Sequence, residues 1–252
     1  MSAAGKTSLD ALYDGAISLR QPARGYRVNV DAILLAAFAA EGKKAQFALD
    51  LGAGVGAVAL CLRHLGAATA FGLLERDPVL LEFARENAER ANLRADFFCR
   101  DLADGLPEGL GRRADLVVSN PPFFAPESGR TSAESPKTPA RFGKIEPFLD
   151  AAASAISGTR ARVAFVYPAR ELSSFLHHAE RVRLIAKRVR FVHADSTTPA
   201  RVVLIEMQRA KPGGLVVLPP LFEWLEKGVR SPEIARLLRG ATSAESSTND
   251  RR

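Results

Sequence analysis

The chain has 252 residues, 47% of them hydrophobic and 25% charged, and a formal net charge of +7. That length suits one large domain, or one domain with an elaboration, and the apolar fraction supports a sizeable core. No apolar run is as long as a membrane span, and Met1–Leu9 lacks the apolar core of a secretory leader, so a cytoplasmic location is expected. A basic surface favours polyanions, nucleic acid first. Cys61 and Cys99 are each flanked by apolar residues and are expected in the core. No Cys/His group has zinc spacing, so no metal site is expected.

Residues 1–12 read as disordered, and a single domain is expected over 13–240. Helical spacing of apolar residues predicts a helix over Asn29–Ala40. Gln46–Leu51 reads as a strand, followed by a glycine turn and a helix from about Val55 to Leu65. Strands are predicted at Ala70–Leu74, Ala95–Arg100 and Ala114–Val118. Pro78–Asn92 reads as a helix with proline near its start, where the missing N–H costs least. Then come a helix near Glu146–Ile156, a strand at Arg162–Tyr167 and a helix at Ala169–Glu180. Two long strands follow, Arg183–His193 and Val202–Gln208, joined tightly as an antiparallel edge hairpin. The alternation predicts an α/β fold with a seven-stranded, mostly parallel sheet covered on both faces. Phe222 and Trp224 are expected in the core, and His177–His178 on a solvated helix face. His64 and His193 have no partner in sequence that would make them catalytic. The tail, 241–252, is polar and of low complexity and reads as disordered. Residues 124–143, rich in Pro, Ser, Ala and charge, form a long loop, and its position favours a substrate lid.

Two stretches carry chemistry. The first is Asp50-Leu51-Gly52-Ala53-Gly54-Val55-Gly56, between the first predicted strand of the sheet and its helix. Gly52 and Gly54 permit a tight turn and close backbone approach of a ligand. With Ala57 they also fit a dinucleotide fingerprint, and Glu75 stands at a plausible distance for ribose, so a nicotinamide-type cofactor is an alternative. Asp50 argues against it, because a carboxylate at that strand tip would repel a pyrophosphate and attract an ammonium or a sulfonium. S-adenosylmethionine carries both. Glu75 is then placed for the ribose hydroxyls. Asp101, with the Leu102 N–H, is placed for the adenine edge. Each carboxylate, taken alone, could instead cap the helix after it.

The second stretch is Ser119-Asn120-Pro121-Pro122-Phe123, after the buried run Ala114–Val118. Each proline fixes its own φ and pushes the preceding residue toward extended geometry. The Asn120 side-chain oxygen and the Pro121 carbonyl can then aim at one point, with the Phe123 ring beside them. Two acceptors and a flat ring suit a planar group bearing an exocyclic –NH2.

These residues resemble the class I, Rossmann-like S-adenosylmethionine-dependent methyltransferases. Asn120-Pro121-Pro122-Phe123 is similar to the signature of those that modify amino groups. Within that class the chain looks most like the bacterial tRNA(Val) adenine N6-methyltransferases. The resemblance is carried by Arg27–Ala36, by Ser119–Phe124 and by Pro199–Glu206, with Val30 a mild departure from the family pattern. It implies that the segment containing Asp31 closes over the cofactor and that Asn120 touches both cofactor and substrate. It also implies that Phe123 and Phe124 stack on the base. Alternative acceptors are guanine N2 of ribosomal RNA and a protein glutamine. No obligate protein partner is evident.

The basic excess is uneven, with eleven Lys/Arg against four Asp/Glu between Arg160 and Lys211. Lys187, Arg188 and Arg190, together with Arg130, Lys137 and Arg141 in the long loop, are the expected RNA contacts. A merely solvated basic face is the alternative.

Overall fold

The computed structural model describes residues 6–24, 27–111, 113–122 and 145–240. The chain enters on a hairpin where disorder was expected: β1 (Thr7–Leu12) pairs antiparallel with β2 (Ile17–Pro22). The turn is Tyr13-Asp14-Gly15-Ala16, and its first three residues have left-handed φ of 53°, 52° and 94°. Asp-Gly supplies this conformation at least cost, and the sheet-forming alternation on either side does the rest. Ile17 and Leu19 point into the core, and Tyr13 follows them there.

After α1 (Val30–Ala40), strands and helices alternate. They are β3 (Ala45–Leu51), α2 (Ala57–His64), β4 (Ala68–Glu75), α3 (Pro78–Arg90), β5 (Ala95–Cys99), β6 (Leu116–Ser119), α4 (Glu146–Ala155), β7 (Arg162–Pro168), α5 (Leu172–Arg181), β8 (Ile185–His193) and β9 (Ala200–Gln208). The strands lie side by side in the order β8-β9-β7-β6-β3-β4-β5. Only β9 runs antiparallel to its neighbours, β7 and β8. The sheet is therefore the expected seven-stranded, mostly parallel one with an antiparallel hairpin at one edge. Two short strands, β10 (Val216–Val217) and β11 (Leu221–Phe222), add to β8 and extend that edge. A ribbon, β12 (Trp224–Glu226) with β13 (Val229–Arg230), and a short helix, α6 (Pro232–Leu237), complete the described chain.

Two apolar clusters cover the sheet. One joins α1, α2, α3 and the hairpin, the other α4 and α5. Proline near the start of α3 acts as the sequence predicts, and a cap adds to it. Asp77 accepts from the Val79 N–H and starts α3, with Pro78 at its first position. Cys61 is buried as expected, but Cys99, the last residue of β5, is exposed. Phe222 and Trp224 are half-buried rather than core, and the Arg230 guanidinium lies 4.6 Å over the Trp224 ring. The tail from residue 241 and the loop 124–143 lie outside the described residues.

Candidate active site

The carboxyl ends of β6, β3, β4 and β5 stand next to one another and lead into Asn120, Gly52, Arg76 and Arg100. Adjacent parallel strands lie about 5 Å apart, so these tips form one continuous edge. Hydrogen bonds sew the edge together. The buried Ser119 hydroxyl donates to the Leu51 carbonyl at 2.7 Å. The Gly52 and Ala53 N–H groups donate to the Leu74 carbonyl at 2.8 and 3.0 Å. Gly52, Gly54 and Gly56 have φ of 69°, 55° and 84°, a conformation other residues adopt only with strain. A side chain at Gly52 would also collide with the Phe148 ring of α4, 2.9 Å from an ideal Cβ.

Asp50 lies beneath this loop, only 2% exposed. Burial drives its carboxyl up from 3.8 to about 7; the Ala59 N–H, in the first turn of α2, opposes the shift, and nearby Glu75 adds to it. Among the described residues its Oδ2 is buried without a hydrogen-bond partner. An acceptor left this way costs free energy unless something charged or protic reaches it.

Glu75 is buried too, but both of its oxygens are engaged. Oε2 accepts from the Gly54 N–H at 2.9 Å and Oε1 from the Asp77 N–H at 3.0 Å. It shapes the glycine loop and the start of α3 at once, and each oxygen keeps a second lone pair. Asp101 caps the 3-10 turn that begins at Leu102, accepting from the Ala103 N–H at 3.0 Å, and its other oxygen lies 3.4 Å from Arg76. Glu75 and Asp101 thus both accept from the backbone of the turn or helix beside them. Asp50 differs in its unpartnered oxygen.

Asp31 sits elsewhere on the same edge and is already paired. Arg201, near the start of β9, grips it with contacts of 2.6 and 3.0 Å, and Glu223 shares the same guanidinium at 2.6 Å. Burial of Arg201 works against its charge, but these two carboxylates hold its pKa above the ordinary value. Two of the segments that carry the sequence resemblance, Arg27–Ala36 and Pro199–Glu206, are joined by this contact. The Asp31 carboxylate is directed at Arg201 and Asn29 and not at the glycine loop.

At the end of β6, Asn120 is half-exposed, Pro121 is buried and Pro122 is exposed. The corner projects from a rigid base, since Val117, Val118 and Ser119 are wholly buried. Phe123, Phe124, Arg130, Lys137 and Arg141 lie outside the described residues.

The basic residues of β8 correct the sequence reading. Arg188 donates to Glu41 at 2.7 Å and stacks 4.2 Å over the Phe38 ring. Arg190 is 7% exposed and donates to Glu233 at 2.7 Å and to the Pro219 carbonyl at 2.9 Å. Lys187 donates to the carbonyls of Lys211 and Gly213 at 2.7 and 2.6 Å. Alternation along an edge strand that β10 and β11 partly cover turns these cations onto the protein's own acceptors. Nothing in their sequence spacing distinguishes that from a free face.

The sequence reading passed over Asn87. It is fully buried on the packed stripe of α3 formed with Leu81, Ala84 and Ala88, and it bonds the glycine loop. An uncharged polar residue on an otherwise apolar helical stripe is the signal that could have found it.

Comparison with known proteins decides the family. Residues 29–135 match the model of the methyltransferase small domain. The tRNA1(Val) (adenine(37)-N6)-methyltransferase of Porphyromonas gingivalis is 32% identical over 193 residues, covering 73% of this chain and 75% of that protein. The chain belongs to this methyltransferase family. The Flavobacterium psychrophilum protein of the same name is 29% identical, covering 77% of this chain and 83% of its own. The fold agrees with solved structures. A predicted O-methyltransferase from Agrobacterium tumefaciens superposes with a TM-score of 0.66 at 20% identity, covering 84% of this chain and 97% of that one. The T. thermophilus 16S rRNA N2 G1207 methyltransferase, solved with AdoMet and guanosine, gives 0.58 at 19% identity, covering 81% and 50%.

As a member of this family the chain is an S-adenosylmethionine-dependent N-methyltransferase. Its own residues fit that cofactor. The unpartnered, buried Asp50 oxygen suits a cationic ligand, and the glycine loop offers backbone unencumbered by side chains. The Glu75 carboxylate, facing the same loop, retains acceptor capacity for hydroxyls.

Proposed function

We propose that this enzyme methylates the exocyclic N6 of adenine 37, beside the anticodon of a tRNA. The observation that carries the proposal is the Asn120–Pro121 corner, held by the Ser119–Leu51 hydrogen bond on the same edge as the glycine loop. Family membership supports the substrate, since the Porphyromonas gingivalis and Flavobacterium psychrophilum relatives are named tRNA1(Val) (adenine(37)-N6)-methyltransferases.

S-adenosylmethionine, when bound, supplies a methyl group on a sulfonium. The task left to the protein is to make a poor nucleophile good. The N6 lone pair of adenine is delocalised into the ring. When the Asn120 side-chain oxygen and the Pro121 carbonyl accept its two N–H hydrogens, the nitrogen is drawn toward tetrahedral geometry and its lone pair is aimed. The same two oxygens stabilise the positive charge that grows on nitrogen during attack. Fixing the base in place supplies much of the remaining rate. A dedicated base is unnecessary, because the methylated ammonium is strongly acidic and loses its proton to water. Asp50 and Glu75 serve the cofactor side of the edge, Asp50 by negative charge beneath the loop and Glu75 by holding the loop's shape. Asp101 and Leu102 serve its far end. Stacking of the base falls to Phe123 and Phe124, whose structure is not described. An anticodon loop already presents unstacked bases, which lowers the cost of extruding one.

The deciding experiment is nucleoside mass spectrometry of tRNA from a strain lacking the protein, together with methyl transfer by the purified protein to that tRNA. Loss of N6-methyladenosine at position 37 and its restoration in vitro are expected. Unchanged tRNA would transfer the assignment to guanine N2 of ribosomal RNA or to a protein glutamine.

A further inference from the structure

We infer that the N-terminal hairpin is a working part of the cofactor site, and that Asn87 is the positioning residue that couples them. Asn87 lies on α3 with no exposed surface. Its Oδ1 accepts from the Arg20 N–H at 2.7 Å, and its Nδ2 donates to the Arg20 carbonyl at 2.8 Å. The side-chain amide therefore pairs with β2 as a neighbouring strand would, closing an edge that would otherwise stand open. The second hydrogen of Nδ2 goes to the Val55 carbonyl at 3.0 Å, inside the glycine loop. Every hydrogen-bonding atom of the amide is in use apart from one Oδ1 lone pair.

The loop is thus gripped on consecutive residues from two directions. Glu75 takes the Gly54 N–H and Asn87 takes the Val55 carbonyl. Gly54 has left-handed φ, and on losing either tether the loop would recover conformations that glycine populates freely. The hairpin also steadies the segment leading into α1. Gln21, fully buried, accepts from the Val28 N–H at 2.9 Å through Oε1 and donates to Asp10 through Nε2. Around the clamp, Arg20 pairs with Glu86 at 2.8 Å and lies 5.8 Å over the Phe83 ring, so β2 is seated on α3 at several points. A hairpin serving only to cover the core would need its apolar contacts, Ile17 and Leu19, but no buried amide reaching through α3 to the cofactor loop.

Coupling of this kind is reciprocal: whatever the hairpin gives the loop, a ligand on the loop returns to the hairpin. Asn87→Leu keeps the volume of the side chain and removes all three hydrogen bonds. Binding of S-adenosylhomocysteine and S-adenosylmethionine is measured by calorimetry, and steady-state constants alongside. The Kd and KM for the cofactor should rise about tenfold or more, the effect of leaving loop and strand groups unsatisfied. At saturating cofactor, kcat and the KM for RNA should stay within about twofold, as for an interaction that contributes equally to ground and transition states. Phe175→Leu, on the buried side of α5 against the other face of the sheet, is the control for lost stability and should leave cofactor affinity alone. If both variants melt earlier and both bind cofactor like the wild type, Asn87 is structural only and the inference fails. Should Asn87→Leu not fold, hydrogen exchange on the wild-type protein decides. S-adenosylhomocysteine should slow exchange at Ile17–Gln21 as well as at Gly54–Gly56, whereas an effect on the loop with none on the hairpin would overturn the coupling.

Discussion

At the amino-terminal end of the sheet, Arg162 and Arg188 converge on Glu206, and Glu41 and the carbonyls of Phe38, Ala39 and Lys43 accept most of their remaining hydrogens, the buried Arg188 Nε alone finding no acceptor among the described residues. At the carboxyl-terminal end, Asp50 is buried more deeply still, and one of its oxygens accepts no hydrogen bond among the described residues. Both ends bury charge. The first matches each cation to an anion and is scaffolding. The second leaves an anion incomplete directly under a loop of left-handed glycines, which is the condition a cationic ligand would satisfy. The difference separates charges that hold the fold from charges held ready for chemistry, a distinction that net charge and spacing along the chain do not reveal.

If the amino-terminal cluster is scaffolding, removing its anion should damage stability and little else. Glu206→Ala leaves Arg162 with carbonyl oxygens only, and Arg188 with Glu41 and the Phe38 carbonyl. A loss of about 3–5 kcal/mol is expected, as for other buried pairs broken on one side. Denaturant unfolding measures it, with turnover per folded molecule unchanged. A stable Glu206→Ala protein with low turnover would reverse the roles assigned to the two ends.

At the other end, Asn120→Ala should lower turnover by about 10²-fold or more, because it removes an acceptor whose value grows as charge develops on the substrate nitrogen. The melting temperature and the cofactor affinity should barely move, since Asn120 is half-exposed and the corner is held by Ser119. Single-turnover kinetics separates the two effects. Near-wild-type turnover on the identified substrate would dispose of the acceptor mechanism.

Asp50→Asn tests the incomplete charge itself. The folded carboxyl titrates near 7 instead of 3.8, so the native state holds its proton more tightly than the unfolded chain. Its contribution to stability is therefore full below pH 3.8 and is lost as pH rises through about 7. The ligand-free variant should melt above the wild type at pH 8, and the gap should close toward pH 4–5. Cofactor affinity should move the other way, falling about tenfold or more with loss of a charge-assisted contact. In the wild type, affinity for S-adenosylmethionine should strengthen between about pH 6 and 8 as Asp50 ionises. Cys61 faces the same interior, but burial pushes its thiol up to about 12, so it does not change charge there to mimic the effect. A pH-independent affinity would separate Asp50 from the cofactor.

The fold was largely legible because its signals are local and repeated. Apolar runs of strand length, glycine after β3, and Pro78 at the head of α3 each have one structural reading. The hairpin was missed although Asp14-Gly15 between alternating segments is a strong turn signal; the polar first residues outweighed it. The site was legible to the extent that it depends on residue type and position at a strand tip. Asn120, Asp50 and Glu75 could be singled out in this way. What side chains do to one another was not legible. Arg188 and Arg190 find acceptors 147 and 43 positions away in the chain, and Asp31 finds Arg201 at a separation of 170. Asn87 needed the packing of α3 against β2 before its amide had any meaning.

The same contrast reassigns the RNA contacts. Of the basic excess between residues 160 and 211, Arg162, Arg188, Arg190 and Arg201 are paired to carboxylates inside the protein. Arg160, Arg183 and Lys211 are exposed, but they lie where β7 and β8 begin and β9 has ended, at the opposite end of the sheet from Asn120. An RNA whose target base reaches Asn120 therefore has little reason to touch them. Changing all three to glutamine should leave the salt dependence of tRNA affinity unaltered within about one unit of log–log slope, less than the roughly 2–3 that three lost phosphate contacts would remove. The same substitution at Arg130, Lys137 and Arg141, which follow the corner in sequence, should remove that larger amount if they are the phosphate contacts. The measurement is a filter-binding titration at several salt concentrations, with cofactor affinity as a control that neither triple variant should change. A large drop in slope from Arg160, Arg183 and Lys211 would mean that RNA wraps the amino-terminal end of the sheet as well, and that the scaffold end also carries substrate.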